Sequence, residues 1–502
     1  MPIVINQFAN VHDLAVVMPM VMLALFGCGI LIVDLLLPAA DKRWNAATAA
    51  IGLVFASGSL WRVQQMLARG GTLDVTGFNG TVVMDPMAIF FFWLFIVATA
   101  LTILISVRYM EIEQEDHGEY YALMLFSVVG MMCMASGKDI VLLFIGLELM
   151  AISTYVLVGF LRRDKRSNEA ALKYLLLSAF SSGIFAYGLS LLYGLTGTTD
   201  VTMIGRRLAV LQHSSYPILV LAVVTTLAGL FFKIAAVPFH QWAPDAYEGA
   251  PTAITGFMSV AGKAAAWALL LRIFLYALRY ASELWMPMVI FVAIATLTGG
   301  NLAAITQNNL KRLLAYSSIA HVGYMMLGLV AWNDTGIKGI LVYLLVYTFM
   351  NLGAFAVIVS LRRRDLIGDE IDDIAGLWFK RPVEAMLMVI FLLSLGGIPP
   401  LAGFYGKYFI FLALIQTGHY VLASLAVFYI AVSLYYYLRI INAMLMRPAL
   451  DAEPIHPAFG LRLALLITGA ATVGIGLFPE LIIRAATWTI TAPQAVTQAF
   501  LR

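Results

Sequence analysis

The chain has 502 residues, 62% hydrophobic and 12% charged, with a mean hydropathy of +0.91; a water-soluble domain of this size would need a polar surface that this composition cannot supply. The net charge of +3 is small and its basic residues sit in short loops, which excludes nucleic-acid binding as the chain's business. Cys28 and Cys133 lie far apart in apolar runs with no Cys or His clustered near either, so they read as core thiols and not as metal or iron–sulfur ligands.

A helix needs about 20 apolar residues to cross the hydrocarbon core, so the chain is cut where charges, Pro and Gly cluster. The first span, 13–38, has no basic segment before it and no small-residue cleavage site after it, and reads as a retained span. Spans 45–66 and 85–109 follow. Asp85-Pro86 opens the third as an N-cap with proline at the first helical position, a structural use of the acid. The chain continues through 119–136, 139–161, 168–196, 216–242 and 251–277, then 285–306, 311–332, 337–362, 382–417, 420–445 and 459–483. The predicted fold class is an all-α polytopic membrane protein of about 14 transmembrane helices.

Loops after odd-numbered spans hold Lys42-Arg43, Arg162-Arg163, Lys165-Arg166, Lys311-Arg312, Arg362-Arg363-Arg364 and Lys380-Arg381. Those after even-numbered spans hold fewer, such as Arg69, Arg206-Arg207 and Lys338. The odd loops therefore face the cytoplasm or matrix, and an even number of spans puts both termini on the outer side. The acidic connection Glu111, Glu113, Glu115 and Asp116 argues the other way, but acids weigh little in this rule.

A charge at the bilayer centre costs roughly 2.5–3.5 kcal/mol, so ionisable residues deep in a span face protein or water and mark an ion path. Glu148, in LLFIGLELMAISTYVLVGF, is too deep to reach water. Lys233 and Lys263 lie as deep, in FFKIAAVPFH and SVAGKAAAWALL. Lys173 is only about a turn and a half inside its span, where a long side chain reaches the interface. Desolvation and a neighbouring opposite charge act oppositely on a buried acid or base, so a Glu/Lys pair in a dry interior is switched by changing its separation or hydration. None of these deep positions is arginine, which would stay protonated. His321, in LLAYSSIAHVGY, has two ring nitrogens able to relay a proton between lysines; the plainer reading is a buried histidine satisfied by a neighbouring Ser or Tyr.

Proline interrupts two spans. Pro238 follows Lys233 by five residues, and Pro399-Pro400, with Gly396, Gly397 and Gly403, breaks the twelfth span seven residues before Lys407. Non-helical backbone at this depth must be enclosed by protein or line a wet cavity. Each broken span is the fourth helix of a five-helix unit, and five is odd, so the two units are expected to be inverted repeats. The domains are then 1–118, three leading helices; 119–280, the first unit; 281–450, the second; and 451–502, a final helix with an outer tail.

Four stretches carry a family resemblance: GLELMAISTYVLVG at 146–159, FFKIAAVPFHQWAPDAYEGAPT at 231–252, NLAAITQNNLKRLLAYSSIAHVGY at 301–324 and PPLAGFYGKYFIF at 399–411. They resemble the proton-translocating, antiporter-like membrane subunits of NADH-quinone oxidoreductase (respiratory complex I), across essentially the whole chain. Within that family the chain is most similar to the subunit N branch, because GFYGK has lysine where the M branch has glutamate and the chain stops without the long lateral helix of the L branch. The resemblance implies that Glu148 pairs with Lys233, that Lys263 is the connecting lysine, that Lys407 faces the outer exit and that Lys173 assists the Glu148 site. It also implies a histidine position for His321.

The implied mechanism is proton pumping driven from a distance. The chain has no dinucleotide fingerprint, cysteine ligand set or flavin motif, so no cofactor is expected in it; NAD, FMN, iron–sulfur clusters and quinone belong to partner subunits. Expected partners are the other membrane subunits of the complex, including the paralogous antiporter-like ones, with membrane lipids and protons. The expected location is a bacterial inner membrane, with the mitochondrial one as alternative. Two other functions fit less of the chain: a multisubunit cation/proton antiporter, and a structural spacer that leaves the deep charges unexplained.

Overall fold

The computed structural model describes residues 11–38, 41–70, 74–212, 215–362, 368–448 and 458–489. Arg363 and Arg364, the side chain of Arg69 and both chain termini, on which part of the orientation argument rests, lie outside the described residues. Among the described residues 13 helices are long and apolar enough to cross a membrane, and the split twelfth span completes the expected set. In chain order they begin with α1 Val11–Leu36 and α2 Trp44–Gly70, a hairpin of β1 Val75–Gly77 and β2 Val82–Met84, and α3 Pro86–Glu113. Then come α4 Gly118–Ser136, α5 Ile140–Val158, α6 Lys165–Thr196, the short α7 Val201–Leu208, α8 Tyr216–Lys233 and α9 Trp242–Gly249. The continuous helix α10, Thr252–Ala277, leads to α11 Ser282–Ile305, α12 Leu310–Val330 and α13 Asp334–Leu361. The chain closes with α14 Pro382–Gly396, α15 Ala402–Gln416, α16 Tyr420–Met446 and α17 Phe459–Leu477, after which residues 480–489 are helical again.

Helix starts follow the local chemistry. Asp85 accepts a hydrogen bond from the Ala88 amide at 2.8 Å with Pro86 behind it, and Asp139, Asp164, Asp200, Asn309 and Asn333 cap α5, α6, α7, α12 and α13 in the same way. Each such cap satisfies an amide that the first turn leaves unpaired, worth about 1 kcal/mol.

The most extensive helix contacts are α4 on α5 and α11 on α12, and both depend on glycine. A methyl group built on Gly130 would lie 2.5 Å from the Met150 nitrogen, and one on Gly300 would lie 2.7 Å from the Ala320 nitrogen. With no hydrophobic driving force between helices in lipid, such backbone approach is what holds them. These pairs occupy matching places, as first and second helices of the two five-helix units. In each unit the fourth helix is the broken one, α8/α9 in the first and α14/α15 in the second. Helices α10, α12 and α13 form the enclosed centre, while α1, α2, α6, α16 and α17 make the outer ring.

Three features differ from the sequence reading. The seventh span does not run helically to 242: α8 stops at Lys233, residues 234–241 are not α-helical, and a separate short helix, α9, follows to Gly249. The eighth span contains two π-helical turns, Met258–Gly262 and Ile273–Ala277, which leave no mark in an apolar run. The connections also hold structure: β1 pairs antiparallel with β2, and the Phe78 amide donates to Asp13 at 3.1 Å, tying the hairpin to α1.

Candidate functional site

The site is built outward from the two breaks. Lys233 is the last residue of α8, and its ammonium donates to Ser178 Oγ on α6 at 2.7 Å. Tyr155 of α5 donates to the same hydroxyl at 2.7 Å. The break frees backbone groups, and side chains take them up: Trp242 Nε1 donates to the Phe232 carbonyl at 2.9 Å, and the Val237 amide donates to Thr296 of α11 at 2.9 Å. Two of the backbone groups freed at membrane depth are thereby satisfied by enclosing side chains.

No hydrogen bond joins Glu148 to Lys233, whose ammonium donates to Ser178, but the two charges act on one another electrostatically. One carboxylate oxygen, Oε1, is buried with no hydrogen-bond partner. The residue lies on the same stripe of α5 as Val141, Ile145, Ile152 and Val156, which are all 50–57% exposed. Helical spacing therefore turns Glu148 toward the outside of the subunit at mid-span.

Beyond Lys233 an aromatic layer intervenes: Tyr174 stacks on Trp242 at 4.6 Å, and Trp242 on Phe232 at 5.6 Å. Lys263 sits behind it, directly after the π turn in α10. Its ammonium donates to Ser318 Oγ at 2.5 Å and lies 5.7 Å from the Tyr247 ring. Tyr347 of α13 donates to Ser318 at 2.8 Å.

One turn further along α12, His321 is held between two phenols, with Nδ1 at 2.5 Å from Tyr343 Oη and Nε2 at 3.1 Å from Tyr437 Oη. Tyr437 in turn meets Ser317 at 2.5 Å. The plainer sequence reading of this residue, a buried histidine satisfied by neighbours, describes its resting geometry. Both ring nitrogens are nevertheless engaged with hydroxyls that can give or take a proton.

Lys407, in the second turn of α15, reaches back across the second break. Its ammonium donates to the carbonyls of Leu395 and Gly396 at 3.0 and 2.8 Å, the frayed C-terminus of α14, and lies 4.9 Å from the Tyr324 ring. A cation at a helix C-terminus meets the negative end of the dipole. Gly397, at φ +86, makes the turn that brings those carbonyls to the lysine.

Lys173 stands apart. Its side chain is 47% exposed and ion-paired with Glu169 at 2.8 Å and Asp245 at 3.1 Å. Asp245 also binds Arg312, which reaches Glu248 as well. Burial pushes the Asp245 carboxyl up, but the bonds from Lys173 and Arg312 outweigh it and hold the group below the usual carboxylate range. The structure thus brings Lys173 to a surface ion cluster and not to Glu148.

Sequence reasoning missed three elements. Arg272, buried near the end of α10, forks onto Asp85 at 2.5 and 2.7 Å and donates to the Ala135 carbonyl at 2.9 Å. Asp85 is therefore both a cap and half of a buried ion pair. Lys311, read as a loop residue, is buried and donates to the Ala250 carbonyl at 3.1 Å. A tyrosine partner for His321 was foreseen but not which one, although Tyr343 and Tyr347 at four-residue spacing on α13 were the available signal. Among the described residues no group of three or more His, Cys, Asp or Glu side chains is placed to hold a metal ion.

Comparison with known proteins places this geometry in context. The family model described as "NADH:quinone oxidoreductase/Mrp antiporter, TM" matches residues 137–433. The chain is 63% identical over 487 residues to NADH-quinone oxidoreductase subunit N 1 of Koribacter versatilis, covering 95% of each chain. It is 54% identical over 484 residues to subunit N 2 of Solibacter usitatus, covering 96% of this chain and 98% of that one. Among solved structures it is similar to a chain of respiratory complex I from Thermus thermophilus with bound aureothin, with a TM-score of 0.78 and 32% identity over 94% of this chain and 99% of the other. A chain of the Mrp complex of a Dietzia species shares the fold, with a TM-score of 0.79 at 20% identity, over 96% of this chain and 99% of that one.

Proposed function

This chain belongs to the NADH:quinone oxidoreductase/Mrp antiporter membrane family, in its subunit N branch, and from that premise we propose that it carries protons across the membrane along Lys233, Lys263, His321 and Lys407. The chain is a multi-pass membrane subunit of the proton-translocating NADH-quinone oxidoreductase, and the antiporter is a distant relation that shares the fold. Electron transfer through NAD, FMN, iron–sulfur clusters and quinone falls to partner subunits.

One observation carries the proposal. Lys233, Lys263 and Lys407 are all at most 6% exposed, and each ammonium donates to a neutral oxygen instead of a carboxylate. An ammonium held in a dry interior whose hydrogen bonds go only to neutral oxygens keeps its charge at a cost, so such a site passes its proton on when its surroundings shift slightly. From Lys263 the way to Lys407 is furnished with hydroxyls and an imidazole: Ser318, Tyr347, His321, Tyr343 and Tyr437. In the aromatic layer between Lys233 and Lys263 the phenol of Tyr174 meets Thr154 at 3.5 Å and neither lysine, so transfer there requires hydration and is the natural place for control.

Glu148 acts at the boundary of the subunit. A carboxylate cannot face lipid at mid-span, so the exposed stripe of α5 is covered by a neighbouring membrane subunit, and that neighbour reaches Lys233 electrostatically through Glu148. Lys173 and its ion cluster sit on the Lys/Arg-rich side, which in a bacterial inner membrane is the cytoplasmic one; the termini then lie outside. The division into three leading helices, two inverted five-helix units and a final helix follows the matching α4/α5 and α11/α12 pairs.

The test is quinone-reductase turnover together with proton uptake in sealed vesicles for Lys233→Ala. If the complex assembles and both activities fall together, the lysine belongs to a tightly coupled proton path. If both stay at the wild-type level in an assembled complex, the lysine row is structural and the proposal fails.

A further inference from the structure

A cavity of about 560 Å3 opens between α2, the first turns of α3, the middle of α13 and the terminal helix 480–489, on the face of α13 opposite Tyr343 and Tyr347. Phe90, Trp93, Leu345 and Phe349 are among the apolar side chains that line it. Two of its few polar groups are already occupied: Gln64 accepts from Trp93 Nε1 at 3.4 Å, and Thr348 donates to the Leu344 carbonyl at 2.9 Å. Because α2, α3 and α13 span the membrane, the medium at the mouth is hydrocarbon. A cavity of roughly 150 Å3 already takes a benzene, so this one has room for a large part of an acyl chain.

The terminal helix decides what the occupant is. Leu481, Arg484, Ala485 and Trp488, one helical face, form the end wall. A spanning helix of a partner, roughly 10–12 Å across, cannot continue through that wall, whereas a flexible chain slips in from the side. Arg and Trp are the side chains that mark the level of lipid head groups. Arg484 Nε donates to Glu480 at 2.8 Å, and the two side chains remain 78% and 67% exposed. They present a positive and a negative group side by side, with guanidinium donors to spare for a phosphate and carboxylate lone pairs to spare for an ammonium.

We propose that this cavity is a binding site for a zwitterionic phospholipid with a primary ammonium head group, of the phosphatidylethanolamine class. One acyl chain fills the slot between α3 and α13, and the head group lies over Glu480 and Arg484. The site serves the seating of the terminal helix and has no part in proton transfer.

The experiment uses the intact complex in vesicles of phosphatidylethanolamine and phosphatidylglycerol, with a trace of phosphatidylethanolamine carrying a photoreactive group in its acyl tail. Irradiation is expected to label peptides from α3 and from 480–489. Ala485→Trp, which plugs the slot from its end wall, lowers that labelling about threefold or more, and Arg484→Gln, at an exposed position tolerant of substitution, lowers it in a complex that assembles normally. Unlabelled phosphatidylethanolamine competes better than phosphatidylglycerol. The proposal is overturned if both variants label like the wild type, if the two lipids compete equally, or if a photoreactive residue at position 485 captures a partner-subunit peptide instead of lipid. None of these outcomes bears on Lys233→Ala, so the two readings stand or fall separately.

Discussion

Arg272→Met is expected to cripple the stability of the subunit without touching its proton chemistry. The Asp85–Arg272 pair is enclosed, with side chains 10% and 3% exposed, and joins α3 to the end of α10 through two short bonds while Arg272 also holds the last turn of α4 through Ala135. Methionine fills much of the volume but leaves the Asp85 carboxylate buried and unpaired, which costs about 3–5 kcal/mol. At about 1.4 kcal/mol per decade this is two to three and a half decades in the ratio of folded to unfolded subunit. Adding Asp85→Asn to the same chain removes the stranded charge and keeps a capping oxygen for the Ala88 amide, so the double variant recovers most of the loss. The assay is thermal release of the subunit from purified complex, followed on native gels, with quinone-reductase turnover per assembled complex measured alongside and expected to be unchanged. The reasoning is refuted if Arg272→Met is as stable as wild type, or if the double variant is no better than the single one.

Ser318→Ala removes the hydroxyl that Lys263 and Tyr347 share; a hydrogen bond to a charged group is worth about 1.5–3 kcal/mol, so turnover in sealed vesicles should drop roughly tenfold or more in a fully assembled complex. Gly146→Ala puts a methyl 2.7 Å from Cys133 Cβ and 2.9 Å from the Gly130 carbonyl, an overpacking cost of about 1–3 kcal/mol that should appear as less assembled complex at elevated growth temperature. The Asp245 carboxyl is held below its usual range by Lys173 and Arg312, so its contribution to stability is complete above the ordinary carboxylate range and is lost as pH falls through the folded value. Asp245→Asn should therefore be less stable than wild type near neutrality and show a flatter loss on acidification, read by the same thermal assay across pH.

The fold was largely legible because lipid leaves few choices: backbone must be satisfied within each helix, so length and apolarity locate every span. Lys233, Lys263, His321 and Lys407 stood out for the same reason, since ionisable groups in such runs need an explanation. What stayed hidden were their partners. Ser178 and Ser318 look like any small residue in a transmembrane helix, and the carbonyls of Leu395 and Gly396 have no sequence signature at all. Tyr343, Tyr347 and Tyr437 count as apolar in any hydropathy profile, so which phenols surround His321 was lost in the pattern that defined the spans. Arg272 and Lys311 sit near span ends, where a long side chain is expected to reach the interface; only the packing of α3 and α4 over one, and of α9 over the other, shows that they do not. Lys173 lies where its shallow position put it, in ion pairs with Glu169 and Asp245 at the surface, while the resemblance implied a role at Glu148.

The two breaks hold their lysines by different means, and this difference is a difference in heritable fragility. Lys233 hangs on the hydroxyl of Ser178, so one codon change at position 178 disarms it. Lys407 is clasped by the main chain of residues 395 and 396, and every amino acid brings a carbonyl. The first anchorage is a small mutational target with a large effect, open to loss and equally open to tuning by replacement. The second survives side-chain replacement so long as the turn at Gly397 is kept, which makes the end of the row at Lys407 the harder half of the path for random mutation to disturb.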